Sequence, residues 1–200
     1  MNLFFASFAE FMWGPWLLVL LLGAGFWLSV CLRGIQFRGL LYAFRLTFTK
    51  ERKGKGDISH FRALMTALAA TVGTGNIAGV STAVALGGPG AIFWMWVTGL
   101  VGMATKYSES FLAVKYRQTN EHDEISGGPM YYLQHGLGKK WLGVCFAAFG
   151  ALAAFGIGNM IQANTATGAM VDSLGVNNFF VGFLLAFLTG LVIIGGIHRI

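Results

Sequence analysis

The apolar positions of the chain gather into five long runs, at residues 13–32, 63–86, 91–114, 141–170 and 179–197, separated by segments that collect charge, glycine and proline. At about 1.5 Å of rise per residue, each run can cross a hydrocarbon core of about 30 Å once tilt is allowed, so the pattern predicts five membrane-spanning helices. One run is interrupted. Val72-Gly73-Thr74-Gly75-Asn76 sets glycines and polar side chains in the middle of 63–86. Backbone that leaves helical geometry at bilayer depth has no water to satisfy it, so it persists only where protein, a cavity or a bound solute supplies partners. The flanking halves, 63–72 and 76–86, are each about half a bilayer long, which places the break near the midplane.

The two helix ends that meet at the break have opposite character. The first half ends in unpaired carbonyls, such as those of Ala69 and Val72, with the partial negative charge that suits a small cation. The second half begins with free amides near Thr74, Gly75 and Asn76, where a carboxylate would be held. Gly73 and Gly75 permit unusual dihedrals and close ligand approach, while Asn76 either caps the new helix or turns its amide oxygen to an ion. Two other readings compete. Gly75 and Gly79 form a small-xxx-small pair that serves helix packing alone, although packing needs neither the third glycine nor the polar groups at the same depth. A dinucleotide loop is excluded by the glycine spacing and by the absence of a soluble strand-turn-helix context.

A second polar feature lies at matching depth. In the run 141–170, the residues Gly158, Gln162, Thr165 and Ala169 fall on one helical face, and Gln162 sits near the midplane. Gln162 either contacts a substrate or ties helices together. Lys106 and Glu109, spaced i,i+3 in the third run, are expected to pair or to snorkel toward the cytoplasm.

Composition agrees with a bilayer environment: 56% of residues are hydrophobic and 11% charged, with 29 glycines and a mean hydropathy of +0.65, too apolar for a soluble domain. Charge then orients the spans. Of the 14 Lys and Arg residues, Arg33, Arg38, Arg45, Lys50, Arg52, Lys53, Lys55 and Arg62 lie between the first two runs. Lys106, Lys115, Arg117, Lys139 and Lys140 lie at the end of the third run or in the next connection, and Arg199 follows the fifth. The positive-inside bias puts the amino terminus and the short links 87–90 and 172–178 outside, and both basic connections in the cytoplasm. The net charge of +6 is thus a topology signal, and no soluble basic face is available for nucleic acid.

The connections carry lesser features. Phe37, Leu40, Leu41, Phe44 and Phe48 recur at helical spacing opposite Arg38 and Arg45, as in a helix lying in the headgroup region. The charged stretch 51–57 reads as a solvated link, and 127–132 as a turn followed by an interfacial anchor. Cys31 and Cys145 fall within spans without metal-ligand spacing, and His60, His122, His135 and His198 are scattered. No nucleophile-base pair or metal cluster shares a depth, so the chain does not read as an enzyme, and no cofactor is expected beyond a coupling sodium ion.

The segments Ala69-Ala70-Thr71-Val72-Gly73-Thr74-Gly75-Asn76-Ile77-Ala78-Gly79-Val80 and Gly87-Gly88-Pro89-Gly90-Ala91-Ile92-Phe93-Trp94-Met95-Trp96 closely resemble the alanine or glycine:cation symporter family. Residues 127–132 and Gln162-Ala163-Asn164 extend the likeness. The resemblance implies an all-α integral membrane protein of the sodium-coupled amino-acid transporter (LeuT-like) fold, whose inverted repeats each begin with a discontinuous helix. It further implies that amides near Thr74 and Gly75 hold an amino-acid carboxylate, that Gln162 adds a side-chain contact, that Asn76 touches either ligand, and that the carbonyls of Ala69 and Val72 serve sodium.

On this reading residues 1–62 comprise an extra helix and a basic interfacial segment, and residues 63–200 most of the first repeat. The remainder of that repeat and the whole second repeat lie outside the chain, which is therefore expected to be an incomplete fragment. The expected function is sodium-coupled uptake of alanine or glycine across the cytoplasmic membrane; the alternative is a non-transporting membrane scaffold or subunit.

Overall fold

A computed structural model describes residues 2–49, 59–119 and 125–194. The charged link 51–57, His122, and the end of the fifth run with His198 and Arg199 lie outside the described residues. Nearly everything described is helical: α1 (Asn2–Met12), α2 (Pro15–Cys31), α3 (Ile35–Arg38), α4 (Leu40–Phe48), α5 (His60–Thr71), α6 (Val80–Gly87), α7 (Pro89–Lys115), α8 (Pro129–Tyr131), α9 (Lys140–Ala153), α10 (Ile161–Leu174) and α11 (Asn178–Ile194). Three π-helical turns, Gly75–Gly79, Tyr132–Gly136 and Ala154–Met160, join α-helical segments or extend them. The departure from an all-α chain is a small antiparallel ladder, β1 (Gln118–Thr119) with β2 (Ile125–Ser126), pairing Gln118 with Ser126 and Thr119 with Ile125.

Each of the five apolar runs forms a helix or a bent pair, but they differ in their capacity to span. Among the described residues, two helices are long and apolar enough to cross a membrane, Phe4–Cys31 (28 residues) and Lys140–Leu174 (35 residues). A third span results if His60–Thr71 and Gly75–Gly87, bent by 64°, count as one. Two of the five expected spans fall outside that set: α7, at 27 residues, is long enough to cross but carries Lys106, Ser108 and Glu109, and α11 is an apolar helix described as far as Ile194.

Chain contacts divide the molecule into two compact units, residues 1–46 with 87–146 and residues 47–86 with 147–200. In the first, α2 packs along α7, and α3 and α8 also lie against α7. The close approach is made by a small residue: a Cβ on the buried Gly25 would stand 2.5 Å from Val101 Cγ1 and 3.1 Å from both Thr105 Oγ1 and the Val101 carbonyl. Without a side chain there, the helix backbones come together as membrane helices do at small residues. Ser29 Oγ donates to the Gly25 carbonyl at 2.8 Å, and Gln36 Nε2 donates to Ser29 Oγ at 3.0 Å, tying α3 to α2. Lys106 Nζ donates to Glu109 Oε2 at 3.1 Å, the expected i,i+3 pair, and both side chains are exposed. Two Gly-Gly-Pro sequences start helices in the same way. Gly88 (φ +62°) precedes Pro89 and Gly128 (φ +128°) precedes Pro129, each proline standing in the first turn, where it forfeits no hydrogen bond. Near α8, burial raises the pKa of the Tyr132 phenol, with the Glu109 carboxylate adding to the rise.

In the second unit α10 packs against α11 and against its own preceding π turn. Gly175 (φ +66°) ends α10, and Asn177 Oδ1 accepts the Phe179 N–H at 2.8 Å at the start of α11. Ser59 caps α5 through the Arg62 N–H at 3.3 Å. Fully buried apolar side chains are few: among the described residues only Ala104 and Val181 qualify, while Leu86, Phe179 and Ile194 are each more than 85% exposed. Such faces suit a hydrocarbon solvent.

The Gly25 contact yields a direct test. Gly25→Ala forces a methyl into Val101 and its carbonyl and should cost about 1–3 kcal/mol as overpacking. Gly23→Ala, where a Cβ meets nothing within 4 Å, should be neutral or stabilising by about 0.5–1 kcal/mol through helix propensity. Melting in detergent should therefore separate the two variants, with only Gly25→Ala lowered.

Candidate functional site

The break is shorter than the 72–76 stretch expected from glycine and polar content. α5 stops at Thr71, Val72 is extended (φ −78°, ψ 106°), and Thr74 already has right-handed helical angles (φ −58°, ψ −30°). Helical winding resumes early because Gly75–Gly79 coil as a π turn, whose wider i→i+5 pattern accommodates the change of direction. The Asn76 N–H donates to the Gly73 carbonyl at 3.0 Å, closing the first turn of the new segment. Neither Gly73 nor Gly75 has positive φ, which corrects the expectation of unusual dihedrals. The chain turns through 64° by Val72 going extended.

Three of the hydroxyls around the break are committed to their own helices. Thr71 Oγ1 donates to the Ala67 carbonyl at 2.7 Å, Ser81 Oγ to Ile77 at 2.8 Å and Thr82 Oγ1 to Ala78 at 2.9 Å. Such back-bonds satisfy the hydroxyl and favour bending. The carbonyls of Ala69 and Val72 accept no backbone hydrogen bond among the described residues, and Val72 is 56% exposed. They are the free helix-end acceptors expected from the sequence. His, Cys, Asp and Glu form no metal-holding cluster among the described residues.

Gln162 stands where its depth implied. The Thr74 N–H donates to Gln162 Oε1 at 3.0 Å, a contact between residues 88 apart in sequence, and both residues are partly buried. The contact joins α10 to the first free amide after the break. It is close: a Cβ on Gly73 would lie 2.9 Å from Gln162 Nε2, 3.2 Å from Oε1 and 3.4 Å from Cδ. The structure therefore brings together Gly73, Thr74 and Gln162. Gly75 and Asn76 are exposed beside them, and a Cβ at Gly75 or Gly79 meets nothing within 4 Å. The packing role considered for Gly75 and Gly79 has no partner among the described residues.

Of the single face assigned to Gly158, Gln162, Thr165 and Ala169, the last three keep their i, i+3, i+7 spacing within α10, and Gly158 falls outside it. Gln162 and Thr165 are partly buried, whereas Gly158 and Ala169 are exposed. Gly158 lies in the π turn Ala154–Met160, so constant α-helical spacing does not carry across it. Residue spacing contained no signal for that turn. The closeness of Gly73 to Gln162 was foreshadowed only by a glycine and a glutamine at one depth.

Comparison with known proteins identifies the family. The sodium:alanine symporter family matches residues 1–200. The chain is 58% identical over 198 residues to the sodium/alanine symporter AgcS of Methanococcus maripaludis, covering 96% of this chain and 44% of that protein. It is 41% identical over 192 residues to the amino-acid carrier protein AlsT of Bacillus subtilis, covering 96% and 41%. It is also 39% identical over 192 residues to the probable sodium/glutamine symporter GlnT of the same organism, covering 96% and 40%. The chain thus spans less than half the length of these relatives, which are transporters and not enzymes. Matched along its whole length, this chain belongs to the sodium:alanine symporter family.

Proposed function

We propose that the protein carrying this segment couples the entry of sodium to the uptake of a small neutral amino acid, alanine or glycine, across the cytoplasmic membrane. The observation that carries the reading is the break in the second apolar run, where the Thr74 N–H meets the Gln162 side chain just beyond the carbonyl end of α5. In this proposal the Gly75 amide and the positive end of the Gly75–Gly87 segment hold the substrate carboxylate through charge-assisted hydrogen bonding, while the Thr74 and Asn76 N–H groups, engaged by Gln162 Oε1 and the Gly73 carbonyl, shape the site around it. Gln162 contributes a side-chain contact, and the carbonyls of Ala69 and Val72 coordinate sodium at the negative end of α5. The fold is the LeuT-like inverted-repeat arrangement, with an extra amino-terminal helix ahead of the first repeat and alternating access about the break. The substrates in the names of two relatives, alanine and glutamine, support an amino acid as cargo. A scaffold role is not favoured, since the family and its named relatives are transporters.

Expressed from its complete gene, a Gly75→Val variant should reach the membrane at normal abundance, because the added side chain starts from open space. It should nevertheless lose sodium-dependent alanine uptake, since bulk at residue 75 blocks approach to the amides. Normal uptake by an abundant variant would reject the break as the site.

Orientation follows from the one-sided distribution of Lys and Arg. With Cys31 and Cys145 replaced by Ala, Gly90→Cys and Ser173→Cys should react with an impermeant thiol reagent in intact cells. Lys53→Cys and His122→Cys should react only after permeabilisation. The reverse pattern would overturn an external amino terminus.

A further inference from the structure

Gly73 is a point of close approach between the broken helix and α10, and what it meets there is one functional group. The Cβ it lacks would fall within 3.4 Å of Nε2, Oε1 and Cδ of Gln162, so the whole carboxamide lies against the glycine. The Thr74 N–H fixes which way round that group lies. An N–H bonds only to an acceptor, so the oxygen faces Thr74, and the nitrogen with its two donors is directed away from that N–H. An untethered glutamine offers a ligand either end of its amide. This one has an oxygen lone pair already committed.

We propose that Gly73 is a positioning residue: by lacking a side chain it seats the Gln162 carboxamide on the Thr74 N–H, so that Nε2 donates to the carboxylate of the bound amino acid. The inference rests on the break being the amino-acid site, and it adds which end of the substrate Gln162 reads. A methyl at residue 73 would displace the carboxamide and leave the backbone of both segments where it is. The atoms it meets are the far end of a flexible side chain and not backbone. Gly73 then acts entirely through Gln162, and the two residues are energetically coupled.

The test is a double-mutant cycle on the product of the complete gene, reconstituted with a sodium gradient and read as KM and Vmax for alanine. Gly73→Ala and Gln162→Leu should each raise KM about ten-fold, the scale of losing one or two net hydrogen bonds, with Vmax little changed. The double variant should be no worse than Gln162→Leu alone. In the Gly73→Ala background, Gln162→Asn, shorter by one methylene, should recover part of the loss. Gly79→Ala, whose Cβ meets nothing within 4 Å, should keep the wild-type KM. Gln162→Glu should raise KM beyond Gln162→Leu by setting a negative charge against the carboxylate.

A wild-type KM for Gly73→Ala, or losses that multiply in the double variant, would overturn the positioning role. A lowered KM for Gln162→Glu would overturn recognition of the carboxylate in favour of the ammonium group. These outcomes leave the underlying site intact, which Gly75→Val tests separately.

Discussion

The obligation of every main-chain N–H and C=O to find a partner governs this molecule, because in hydrocarbon the usual partner of last resort is absent. Along most of the chain the helices meet it internally. Where the second apolar run gives up helical geometry at Val72 and Gly73, the debt is met from a distance, by a glutamine oxygen 88 residues away. That one hydrogen bond couples the two features that matter for function: a reoriented half-helix exposing its amide end, and α10, which contributes the side chain. Without it the Thr74 N–H would be an unsatisfied donor, at a cost of about 1–3 kcal/mol or more in an apolar setting. The break is consequently a property of two segments.

Packing follows a different rule from that of a water-soluble domain. Large apolar side chains such as Trp94, Phe149 and Phe183 remain more than 60% exposed, and a close helix contact in the first unit is made at Gly25. In lipid there is little to gain by hiding a leucine from a solvent that resembles it. Association relies on backbone proximity and on polar ties such as Gln36 to Ser29. The family membership and the helix composition are therefore consistent with what is and is not buried.

The parts of this architecture that could be read from sequence are those dictated by solvent. Runs of apolar residues announced the helices, glycines with polar neighbours announced the break, and depth alone made Gln162 a neighbour of Thr74. What escaped were features set by winding. No residue type marks the π turns, so the face drawn from Gly158 to Gln162 assumed a constant 3.6-residue period that the chain does not keep across the turn. The break came out shorter than its glycine content suggested because Gly75 and Asn76 belong to such a turn and not to the gap. The pairing of residues 118–119 with 125–126 is too brief for any periodicity to register. Gly73 was legible as necessary but not for its reason, since its backbone is ordinary and its importance lies in what stands against it.

The π turn at Ala154–Met160 makes the position of Gln162 a matter of counting. Each residue of an α-helix advances the side-chain direction by about 100°, and a π turn is in effect one residue accommodated without breaking the helix. Were that turn to rewind as regular α-helix with every residue kept, the extra residue would no longer be absorbed. Everything beyond it would swing by roughly a quarter of a revolution, pointing Gln162 away from Thr74 while altering no contact residue. A relative one residue shorter between 154 and 160 would thus keep α10 aimed as here on a regular helix, whereas one of equal length without the π turn would aim it differently, even where every residue of the break was identical.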